Sequence, residues 1–102
     1  HWSHAVFLCH ECLEKLLKAL YVQKKSCLPP ATHNLGHLSQ KIGLKPTQEL
    51  ENSLYKVAPH FAQTRYPDVA GGSPASLYNK ALAEELVAAT REVKEWLEQH
   101  LK

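Results

Sequence analysis

Hydrophobic and polar positions fall into helical rhythm almost from the first residue. Over residues 2–25, Ala5, Leu8, Cys9, Cys12, Leu13, Leu16, Leu17 and Leu20 recur at three- and four-residue steps. That is the signature of one face of a 3.6-residue period. His10, Glu11, Glu14, Lys15 and Lys18 fall on the other side and are expected to face solvent. Glu11 with Lys15, and Glu14 with Lys18, stand four apart with the acid first, the favourable order for a helical ion pair. The spacing predicts a long first helix that ends near Lys25, before Pro29 and Pro30, which cannot continue it.

Three further helices follow from the same pattern. Leu35, Leu38 and Ile42 make the apolar stripe of a short helix over residues 33–41, with Thr32 as its N-cap and Gly43 at its C′ position. Thr47 caps the next, whose stripe is Leu50, Leu54, Val57 and Phe61. Glu49 and Glu51 in its first turn suit the helix dipole. Pro59 predicts a kink or break near residues 57–59. Residues 64–74 read as a loop. The last helix is expected to begin near residues 74–77, capped by Ser73 or Ser76. Leu82, Leu86, Ala89, Val93 and Trp96 form its seam, at the spacing of an antiparallel bundle. No segment alternates as a strand. The fold class is therefore all-α, an up-and-down helical bundle of four to five helices.

Composition narrows the class without naming a chemistry. The chain has 102 residues, read as a single domain over 1–102, with 44% hydrophobic and 22% charged residues. Such a chain buries a modest core. A net charge of +2 is too mild to imply nucleic-acid binding by itself. With three cysteines, no signal peptide and no membrane-spanning run, the reading is a reduced, cytoplasmic setting.

Candidate chemistry is sparse. Cys9 and Cys12 form a Cys-x-x-Cys, but on the apolar face of the first helix, where cysteine behaves as a small hydrophobe. No second pair stands at zinc-ribbon spacing, so no metal is expected. His33 and His37 stand four apart, without a His-Glu-x-x-His pattern. Gly71-Gly72-Ser73-Pro74 lacks the Gly-Lys-Ser/Thr ending of a P-loop. Arg65 beside Tyr66 has two readings. It forks a phosphate while Tyr66 stacks a base, or it caps the preceding helix while Tyr66 anchors the loop. Lys15 and Lys18 are either solvated charges or the cations that neutralise a phosphate.

The order of these pieces resembles a HEPN domain (higher eukaryote and prokaryote nucleotide-binding). The resemblance rests on Phe7-Leu8-x-His10-x-x-Leu13-Glu14-Lys15-x-Leu17-Lys18-Ala19-Leu20, where His10 stands in a place commonly held by glutamine. It rests also on Leu28-Pro29-Pro30-x-Thr32-His33-Asn34-Leu35, on Arg65-Tyr66-Pro67-Asp68, and on the closing helix rich in Ala, Leu, Glu and Lys. The resemblance implies a helical bundle, commonly a homodimer. Many members form a two-component, toxin–antitoxin-like module with a minimal nucleotidyltransferase. Some cut RNA without metal, and others bind nucleotides or a partner protein. The RNase members carry Arg-x(4–6)-His. After Arg65 those places hold Ala70, Gly71 and Gly72, and after Arg91 they hold Trp96, Leu97 and Glu98, so the motif is absent.

The expectation is thus a non-RNase HEPN module, with no catalytic residue and no resident cofactor. It would bind a nucleotide such as ATP or GTP through Lys15, Lys18, His33, Arg65 and Tyr66, and engage a nucleotidyltransferase-type partner. Alternatives are a metal-independent RNase toxin with a displaced active site, its base His33 or His60, and a purely structural dimerisation domain. The family's first helix is expected to be missing ahead of His1. The apolar face of the opening helix, with Leu13, Leu16 and Leu20, would then need a second chain to cover it.

Overall fold

A computed structural model describes residues 2–61 and 78–102. Among these the chain forms four helices and no strand: α1 (Trp2–Lys25), α2 (Leu35–Ile42), α3 (Gln48–Val57) and α4 (Lys80–Glu98). None of these helices is long and apolar enough to cross a membrane. The all-α class read from the sequence holds.

The helices stop where local chemistry dictates. α1 ends as Ser26 enters the left-handed region (φ 56°), its amide still bonded to the Val22 carbonyl at 2.8 Å. Gly43 closes α2 at φ 84°, a conformation that costs glycine little. Thr47 caps α3, its hydroxyl oxygen accepting from the Leu50 amide at 3.2 Å. α3 ends at Val57, and a turn at Ala58–Pro59 follows, where the proline removes a backbone donor. Two starts differ from expectation. Asn34, not Thr32, caps α2, its Oδ1 accepting from the His37 amide at 2.9 Å, and α2 begins at Leu35. α4 begins at Lys80, with Asn79 Oδ1 accepting from the Leu82 amide at 2.9 Å. Ser73 and Ser76 lie outside the described residues.

α1 is the centre of the bundle. It packs along both α2 and α4, while α3 packs against α4. Ser53 of α3 donates to Glu92 at 3.1 Å and Lys56 reaches Glu85 at 3.5 Å, so α3 and α4 run in opposite directions. At the far end Gln23 grips the tail beyond α4. Its amide nitrogen donates to the His100 carbonyl at 3.0 Å, and its oxygen accepts from the Lys102 amide at 2.9 Å. The core joins Leu13 and Leu17 of α1, Leu35 and Leu38 of α2, Val57 of α3 and Leu97 of α4, all completely buried. Each such leucine contributes on the order of 1.5–3 kcal/mol relative to exposure.

A helix flanked on two sides buries more than one stripe, and this corrects the reading of α1. His10 and Glu14, expected on the solvent face, are buried, whereas Leu8, expected on the core face, is exposed. Leu13 and Leu20 are covered within one chain, and Leu16 is half-buried. The seam of α4 also shifts by part of a turn. Ala83, Leu86, Ala89, Thr90, Val93 and Leu97 face inward, with Leu82 and Trp96 half-buried beside them.

Candidate functional site

The buried face of α1 and the turn before α2 meet at one carboxylate. Two local bonds fix that turn. The Asn34 amide donates to the Thr32 hydroxyl at 3.1 Å, and the Asn34 side chain holds the His37 amide. Between them His33 lies outside the helix and turns toward α1. Its Nδ1 stands 3.0 Å from both oxygens of Glu14. Lys18, one turn on from Glu14, donates to Oε2 at 3.0 Å. His10, one turn back, places its Nδ1 3.6 Å from Oε1.

Phe61 closes the cluster. The His33 ring stacks on it with centroids 4.3 Å apart and planes 12° apart, and the His10 ring leans against it at 5.1 Å. Outside lies an open groove of about 460 Å³ lined by His33, Asn34, Tyr55, Ala58, Pro59 and Phe61. Tyr55 rests on Gly36 of α2, where a Cβ would come within 2.8 Å of the ring.

The electrostatics follow from burial and contact. Burial alone would raise the Glu14 carboxyl, but the bonds from Lys18 and His33 overcome it and hold the group below its ordinary value. Glu14 is therefore ionised near neutrality. An ionised carboxylate only accepts, so His33 must carry its hydrogen on Nδ1, leaving Nε2 for other partners. His10 is the reverse case. Burial pushes its imidazole below its ordinary value, against the opposing pull of Glu14 and Glu11. Its ring is fully buried, and neither nitrogen makes a well-aligned hydrogen bond, the His33 backbone being a polar neighbour that also pulls the value up.

Among the residues singled out from sequence, the structure joins Lys18 and His33 through Glu14. Lys15 is exposed and takes no part in that cluster. Arg65 and Tyr66 lie outside the described residues, as does Gly71-Gly72-Ser73-Pro74. His37 is exposed on α2 while His33 precedes that helix and faces Glu14, so the pair does not share a helix face. Cys9 is buried in the core and burial pushes the Cys12 thiol up, in keeping with cysteines used as small apolar groups. Tyr55 and Pro59 as groove residues, and His10 as a buried neighbour of Glu14, are not predicted from the sequence. The one available signal was His10, four residues before Glu14.

Helices gathered around a buried carboxylate, with the Pro-Pro-x-Thr-His turn folded onto it, form an all-helical module. The family model of the HEPN domain matches residues 1–100, and the chain belongs to that family. No curated protein and no solved structure matches it.

Proposed function

We propose that this HEPN domain is a dimeric binding module that takes a nucleotide such as ATP or GTP and engages a nucleotidyltransferase-type partner. The observation carrying the nucleotide part is the open groove beside His33. Tyr55 and Phe61 offer it aromatic surface, and a planar base stacks on such rings. Lys18 lies beside the groove's His33 through their shared carboxylate, and Arg65 follows Phe61 by four residues in the chain. These cations would meet phosphates, with Lys15 on the outer face of α1 and Tyr66 next to Arg65.

Thermal unfolding with and without ATP or GTP tests this. A ligand that binds the folded chain raises its melting temperature. The wild type is expected to shift upward, and Tyr55→Ala and Arg65→Ala to lose the shift. No shift with either nucleotide would remove the nucleotide part. Light scattering on the eluted chain tests the dimer, and co-purification with a minimal nucleotidyltransferase tests the partner.

The Glu14–His33 contact favours the RNase alternative over a purely structural one. A carboxylate holding Nδ1–H leaves Nε2 able to take the proton of a 2′-hydroxyl. That reading predicts growth arrest on expression, relieved by His33→Ala. An inert wild type disposes of it.

A further inference from the structure

Leu8 and Val22 belong to α1, yet they are 50% and 45% exposed. Their places follow a pattern. Ala5, Leu8, Cys12, Lys15, Ala19 and Val22 recur at alternating steps of three and four residues. Each of the six is exposed or half-buried. They run along the side of α1 opposite Val6, Leu13, Leu17 and Leu20, which are buried. Steps averaging about 3.5 residues keep one row of side chains against a second helix, as in a coiled-coil seam. α1 therefore carries two apolar faces. α2 and α4 cover one, and among the described residues nothing covers the other. This second face extends for about 25 Å, and Lys15 is its single charged member.

The seam is complementary to itself when read backwards. With a two-fold axis at the level of residues 13–14, position 5 meets position 22 of a second copy, 8 meets 19, and 12 meets 15. Leu8 then faces Ala19 and Val22 faces Ala5, a larger side chain against a small one at each crossing, as close packing of two helices requires. Charge selects the same orientation. Lys15 forms no ion pair among the described residues. In the antiparallel pair it crosses beside Cys12 of the second copy, next to that copy's Glu11, so opposite charges meet near the axis. A parallel pair in register would set Leu8 on Leu8 and press the two Lys15 ammonium groups together.

We propose that α1 pairs antiparallel with α1 of a second copy of this chain through residues 5–22. The proposal rests on the dimeric reading above and deepens it by naming the face each copy uses. An interface of one patch with itself about a two-fold axis closes at two chains. None of the residues lining the groove belongs to the seam. With Lys15 engaged near the axis, the phosphates of a nucleotide fall to Lys18 and Arg65.

Sedimentation equilibrium on the whole chain over a dilution series tests this. The wild type is expected to dimerise. Leu8→Glu, at an exposed position, is expected to keep its helical spectrum and to weaken the dimer by roughly tenfold or more, because a two-fold interface counts the change twice. Lys15→Glu should weaken it too, and Glu11→Lys in the same chain should restore it. Ala88→Glu, on the exposed side of α4, should leave it unchanged. Orientation is read by oxidation after the native cysteines are replaced by alanine. Val22→Cys should then give no disulfide-linked dimer, since an antiparallel pair holds the two thiols roughly 25 Å apart. A wild type that stays monomeric would overturn the seam together with the dimeric reading. A dimer indifferent to Leu8→Glu, or one that Val22→Cys links efficiently, would overturn the seam and leave the dimer standing.

Discussion

Gly36→Ala separates two opposing effects that the structure places at one residue. Gly36 is the second residue of α2 and is buried. A Cβ there would lie 2.8 Å from Tyr55 Cε1, 2.9 Å from its hydroxyl oxygen and 3.2 Å from Cζ. Contacts this short force the ring to move. Tyr55 is 46% exposed, so it can swing toward solvent without disturbing the backbone. A fully buried tyrosine covers about 200 Å². Losing roughly half of that cover costs about 2.5 kcal/mol at ~25 cal/mol per Å². Alanine's better helix propensity returns at most about 1 kcal/mol. The net loss is about 1.5 kcal/mol, a fall of about 6–12 °C in melting temperature for a domain of this size. Urea unfolding should be run on both single variants and on the double variant with Tyr55→Ala. Once the ring is gone, Gly36→Ala should become neutral or stabilising, because only the propensity remains. An equal loss in both backgrounds would rule out the clash with the ring, as would a stabilised Gly36→Ala with Tyr55 in place. Tyr55 also walls the groove, so the same variant should blunt any nucleotide-induced rise in melting temperature.

Burial holds His10 below its ordinary value of 6.5. The unfolded chain therefore takes up a proton that the folded chain resists, and this contribution to stability is complete above 6.5 and lost as pH falls through the folded-state value. His10→Leu should flatten the stability profile as pH falls below His10's ordinary 6.5, and a slope that persists there would contradict the assignment. Glu14, held below its ordinary 4.5, adds a separate loss at lower pH, as acid reaches its folded-state value. Asn79→Ala should cost about 1 kcal/mol and speed amide exchange at Leu82, the group its side chain caps.

Periodicity made most of this bundle legible. Leu35, Leu38 and Ile42 sit in the core as their spacing requires, and Thr47 and Gly43 hold the ends assigned to them. The failures share a cause, which is that local pattern does not count a helix's neighbours. His10 and Glu14 look like an outer face until α1 is found between α2 and α4. Thr32 and Asn34 are both plausible caps by residue type. Hydrogen-bond geometry decides between them, Thr32 serving Asn34 and Asn34 serving His37. The site was half legible. His33 and Lys18 were drawn from a motif, but the carboxylate that unites them was read as one half of a surface ion pair.

Gln23 carries a kinetic consequence. Its two bonds join residues 77 and 79 positions apart in the chain. Closing so long a loop is entropically expensive, and two exposed hydrogen bonds cannot offset it until α1 and α4 have already docked. The contact is therefore expected to form late in folding. Gln23→Ala is expected to leave the folding rate unchanged in stopped-flow refolding and to speed opening of the end where the last turn of α1 meets the tail beyond α4.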